Sequence, residues 1–159
     1  MRRVTLVLMI AAAAWLLAGT SAVLRGQGNS PSAAEIKAKL DDALAKLATY
    51  DFGVPSAGPN AISELIAATH GKPAERKELA GKLAGVLASN APRGAKDFVC
   101  RQLSIIGTAD EVPALAGLLA DEKLSHMARY ALERIPGPAP DEALRAALGK
   151  VKGMLLVGV

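Results

Sequence analysis

Three side chains in this sequence have types that could hold a metal or work as nucleophile and base: His70, Cys100 and His126. Imidazole and thiolate suit zinc, but a compact zinc site takes them from closely spaced pairs, and these three stand far apart with no such pair. His70 precedes Gly71 and is placed to interact with the last carbonyls of a helix; His126 reads as a surface or groove residue. Cys100 is the only cysteine, which excludes an internal disulfide. Within DFVCRQL it lies beside Val99 and Leu103 and reads as a partly buried structural thiol. Gly71-Lys72 and Gly81-Lys82 end like phosphate loops, yet both lack the glycine five residues ahead and the Ser or Thr behind. No catalytic, cofactor-binding or metal-binding residue is therefore expected, and the chain reads as a non-enzyme without cofactors.

The N-terminus carries an address rather than chemistry. Arg2 and Arg3 precede Val4 to Ala18, fifteen residues in which Thr5 is the only clearly polar side chain, and Thr20-Ser21-Ala22 supplies small residues for a signal peptidase. Two readings stand: cleavage after Ala22, giving an exported periplasmic or extracellular protein, or an uncleaved inner-membrane anchor over residues 4–24, since roughly 20 apolar residues span a bilayer. Loss of residues 1–22 removes two of nineteen Lys and Arg, leaving seventeen against fifteen acids and a net charge of +2. The basic balance thus carries no nucleic-acid footprint. Only Tyr50, Phe52, Phe98 and Tyr130 then remain as aromatics, too few for base-stacking platforms.

The elements behind these residues are helical throughout. After a linker over 23–31, Ser32 and Glu35 form a capping box, and Ile36, Leu40, Leu44 and Leu47 follow at helical spacing. Tyr50 to Asn60, with two Pro and two Gly, predicts a loop. It holds Asp51-Phe52-Gly53, the triplet that binds magnesium in protein kinases, with no other kinase element beside it. A short helix is expected from about Ala61 to Thr69, closing an N-terminal helical cap or degenerate repeat over 32–71.

From residue 72 a pattern recurs. LAGVLAS, Leu83 to Ser89, returns as LAGLLAD, Leu115 to Asp121, and more weakly as LRAALGK, Leu144 to Lys150. The A helices are expected over Pro73 to Ala88, from the Thr108/Glu111 capping box to Ala120, and from Pro140. The B helices are expected over Pro92 to Ile106, Glu122 to Ile135, and from Val151 to the last residue. Pro113 is tolerated because a first-turn amide has no helical partner to lose. Phe98, Leu103 and Ile106 map onto Met127, Leu132 and Ile135, twenty-nine residues on. Units over 72–107, 108–137 and an incomplete 138–159 follow, as stacked helical hairpins require. Gly85 and Gly117 fall at matching positions expected to be mid-helix, where each costs about 1 kcal/mol against Ala; close approach of a neighbouring helix is the expected compensation. Gly153 to Val159 contains only apolar residues and glycine, and is expected to begin a helix that further repeats cover.

VPALAGLLAD (Val112 to Asp121) and ARYALERI (Ala128 to Ile135) resemble HEAT repeats, of the short bacterial kind similar to phycobilisome-lyase-like repeat proteins. AKDFVCRQLSIIGT (Ala95 to Thr108) followed by SHMARYALERIPGP (Ser125 to Pro138) is similar to a group of large exported bacterial HEAT-repeat proteins. The resemblance covers Pro73 to Val159 and implies an all-α superhelical stack, an α-solenoid of antiparallel helix pairs that serves as a scaffold for protein partners. It implies that B helices face the concave side, where Arg101, His126, Arg129, Tyr130 and Arg134 would form a partner-binding groove. The alternative is a solvated face balanced by Asp97 and Glu133. Two other functions stay open: the repeat region of a larger exported enzyme or cytochrome-bearing protein truncated at Val159, and a lyase-like role on a tetrapyrrole. Nucleic acid is not an expected partner, and a membrane is expected to engage only through an uncleaved N-terminal segment.

Overall fold

The computed structural model describes residues 32–159, so the signal or anchor expected over 1–22 and the linker over 23–31 lie outside the described residues. The described chain is all-α, with eight α-helices, one 3-10 turn and no strand. None of these helices is long and apolar enough to cross a membrane.

Helix α1 (Ala33–Leu47) starts at the expected capping box: the Glu35 amide donates to Ser32 Oγ at 3.3 Å, and the Ser32 amide donates to Glu35 Oε2 at 2.7 Å. The Ser32 amide, and with it the Ser32 hydroxyl at 3.0 Å, donates to the Glu35 carboxylate and holds it below its usual range. Its buried stripe is Ile36, Leu40, Ala43 and Leu47, with Leu44 half-buried. Helix α2 (Ala57–Ala68) begins four residues earlier than expected and takes in Gly58 and Pro59. Pro59 sits in the first turn, where no helical amide bond is lost. Helix α3 (Pro73–Ala88) opens on Pro73, and α4 (Arg93–Ile106) follows Pro92.

The second unit departs from its expected bounds. The Thr108/Glu111 capping box is present and opens a 3-10 turn, Ala109–Glu111, that leads into α5 (Val112–Ala116) with Pro113 in its first turn. Helix α5 stops at Gly117 and continues as tight turns, in which the amides of Leu118 and Leu119 donate to carbonyls three residues back at 3.0 and 3.1 Å. Leu118 and Leu119 stay buried all the same. Helix α6 (Ser125–Leu132) starts later than Glu122, because Asp121 Oδ1 accepts from the amides of Lys123 and Leu124 at 2.8 and 3.1 Å and shapes the entry turn. Helix α7 (Pro138–Leu148) starts two residues ahead of Pro140, after Gly137 at φ +106°. Helix α8 (Met154–Gly158) is shorter than expected, since Gly153 at φ +59° turns the chain after Val151.

The helices meet in two series. Each of α1, α3, α5 and α7 touches the next of that series, while α2 touches α4 and α4 touches α6; α1–α2, α3–α4 and α5–α6 are also paired. Lys82 Nζ to Asp41 (3.1 Å) and Lys77 Nζ to Asp110 (2.8 Å) link α3 to α1 and to the 3-10 turn. One continuous apolar core runs from Ile36 to Ala147.

The glycine expectation is overturned. Gly85 is exposed and a side chain added there meets nothing within 4 Å; at Gly117, the C-cap of α5, it meets only Ala114 O and Pro113 O of its own helix, at 3.5 and 3.7 Å. Close approach occurs elsewhere. A Cβ on Gly58 would lie 2.6 Å from the Leu47 backbone nitrogen, and one on Gly94 would lie 2.8 Å from Asp51 Cα.

Candidate functional site

The five residues expected to line a groove are separated by their places on α4 and α6. His126 and Tyr130 on α6, and Arg134 in the turn just past its end, recur every four residues and are all exposed, which puts them on one outward stripe. The Arg134 guanidinium carbon lies 3.6 Å from the centroid of the Tyr130 ring, and Arg134 Nη1 donates to the Tyr130 carbonyl at 3.0 Å. The stack fixes both side chains while Tyr130 stays 39% exposed. On α4, Arg101 is exposed and forms an ion pair with Asp97, whose side chain is nearly buried.

The twenty-nine-residue offset explains how these stripes relate. It maps Arg101 onto Tyr130 and Ile105 onto Arg134, all four exposed, but His126 onto the buried Asp97, so two of the three outward positions recur, and α4 and α6 touch. Ile105 is 65% exposed beside Arg101 and was absent from the sequence-derived groove. The signal for it was available, because Ile105 stands four residues after Arg101 and falls off the Val99, Leu103, Ile106 stripe.

Arg129 is the exception. The same offset maps it onto Cys100, whose side chain is fully buried. It therefore points inward from α6: its Nε is buried with no hydrogen-bond partner, and its guanidinium lies against Gly158 of α8. Arg129 packs the C-terminal segment onto α6 and does not belong to the outward stripe.

The chemistry-bearing residues stay apart. His70 and His126 are exposed while Cys100 is enclosed, and among the described residues no three His, Cys, Asp or Glu side chains converge as a metal site would require. Burial, with a smaller effect from the Asp97 carboxylate, pushes the Cys100 thiol up to about 12, so it is a protonated thiol rather than a nucleophile at neutral pH. Asp51 serves the fold instead of a metal. Its Oδ1 accepts from the amide of Gly94 at 2.8 Å and from that of Phe52 at 2.9 Å, capping α4 from the loop between α1 and α2. The Arg93 guanidinium lies 5.8 Å from the Phe52 ring centroid and closes that contact.

Two open crevices flank α1. One, of about 210 Å³, is lined by Ile36, Leu40, Glu75 and Glu78; the other, of about 180 Å³, by Ile36, Asp42, Glu64 and Leu65. Both are smaller than the roughly 300 Å³ at which small-molecule pockets begin. No protein family, curated protein or solved structure gives a match to this chain.

Proposed function

We propose that this chain is an exported α-solenoid of HEAT-like helix pairs that binds another protein through the outward stripe of α4 and α6 and carries out no catalysis. The observation that carries the reading is the matched register of those two helices. Arg101 and Tyr130, and Ile105 and Arg134, stand exposed at equivalent positions one unit apart, while Val99 and Ala128, and Leu103 and Leu132, are buried at the same offset. Repetition of one exposed stripe across neighbouring pairs is how stacked repeats build an extended binding surface. Arg and Tyr are among the residues that dominate protein interfaces, and the Tyr130–Arg134 stack is already ordered before a partner arrives.

Site-specific photo-crosslinking in the native cell tests the proposal. A photoreactive residue at position 105 should give one discrete adduct that Arg101→Glu combined with Arg134→Glu abolishes, whereas the same residue at exposed position 78 of α3 should give none. Equal labelling at both positions, insensitive to the charge reversals, would overturn it.

A further inference from the structure

We propose that the segment from Arg145 to Val159, the end of α7 together with α8, is a docking face for an anionic lipid surface. Four of the large apolar side chains exposed on the described chain lie within it: Leu148, Met154 (84% exposed), Leu156 and Val157 (80% exposed). Met154 and Val157, three residues apart, share one side of α8. The segment is nonetheless held on the body. Val151 is buried, Val159 packs on the core, and Arg129 lies against Gly158.

Charge decides which partner this apolar face fits. Arg145, Lys150 and Lys152 are exposed and stand beside these residues in the chain, none is in an ion pair among the described residues, and beyond Asp141 and Glu142 no Asp or Glu occurs up to Val159. Protein interfaces are depleted in lysine, whereas outward apolar side chains flanked by Lys and Arg are the composition of interfacial membrane contacts. A second copy fits poorly, because a two-fold pairing of this patch with itself would set like charges face to face. Headgroups of anionic lipid instead supply the missing negative charge, and the acyl boundary receives Met154 and Val157. The surface is distinct from the α4–α6 stripe, and neither reading rests on the other.

The test places the chain's sole indole on this face. In the full chain, Trp15→Phe combined with Met154→Trp is mixed with phosphatidylglycerol–phosphatidylcholine vesicles and, separately, with pure phosphatidylcholine vesicles; the indole at position 154 reports on this face even where the N-terminal segment itself binds lipid. In the anionic vesicles the emission should shift to the blue and be quenched by acyl-brominated lipid, with neither effect in the neutral ones. Lys150→Ala with Lys152→Ala should lower the ratio of inserted to free indole about twenty-five-fold, about five-fold per cation. An unchanged urea midpoint in that variant confirms that the fold is intact. The proposal is overturned by equal quenching in both vesicle types or by no quenching at all. A blue shift without lipid that grows with protein concentration would also overturn it, and would assign the face to a second copy.

Discussion

Cys100 and Asp97 are neighbours in the wall of α4, and each settles its environment differently. Asp97, nearly buried, pairs with Arg101, which is itself half in water. Cys100 is enclosed with no cation near enough to favour its thiolate, so burial raises it from 9.0 to about 12. The folded chain then keeps a proton that the unfolded chain releases. Stability linked to that proton is fully present below about pH 9 and is lost as the pH rises from there toward about 12. The urea midpoint of the parent protein should therefore fall more steeply above about pH 9 than that of Cys100→Ala. Parallel pH profiles would place the thiol in contact with water. Arg129 shows the opposite bias of sequence reading: its charge suggests a surface, while its register, shared with Cys100, leaves it half-buried against Gly158.

Among elements, the two capping boxes were the most legible part of the sequence, while other helix bounds shifted by two to four residues. Ser32 with Glu35 and Thr108 with Glu111 formed the reciprocal bonds their spacing announced, since both partners of a capping box lie within one turn. The glycines were not legible, because what a missing side chain makes room for lies on another element. Gly85 and Gly117 repeat in sequence and face open space or their own helix, whereas Gly58, which has no echo, lets α2 lie against the backbone of Leu47. Substitutions should therefore act in opposite directions. Gly85→Ala should raise the unfolding free energy by about 0.5–1 kcal/mol through helix propensity alone. Gly58→Ala should lower it by about 1–3 kcal/mol, because the backbone it meets cannot move aside as a flexible side chain would. Chemical denaturation of the two variants side by side checks both signs. A destabilised Gly85→Ala would show that the echo does conceal a contact.

On the scale of the whole molecule, the all-helical class was readable because apolar residues recur at helical spacing between turns marked by Gly and Pro. The pairing of α1 with α2 was weaker in the sequence, since Gly58 and Pro59 look like loop residues until their burial in a first turn is known. The role of Asp51 could not be read at all. Its partner is the amide of Gly94, forty-three positions along the chain, and no local pattern encodes a bond of that span.

That bond makes Gly94 a sentinel. Its amide is one of the first-turn donors of α4 that no helical carbonyl can satisfy, and the only acceptor it has is carried by the connection between α1 and α2. Whenever the first pair lifts away, this one hydrogen is exposed to solvent while α4 itself remains wound. Deuterium exchange at Gly94 should therefore be faster than at Leu103 in the parent protein and should accelerate further in Asp51→Ala, with Leu103 unchanged; identical Gly94 rates in the two proteins would show that the loop does not guard it. The carboxylate of Asp51 acts as a latch between the first pair and the rest, and the state of that latch can be followed through a single proton.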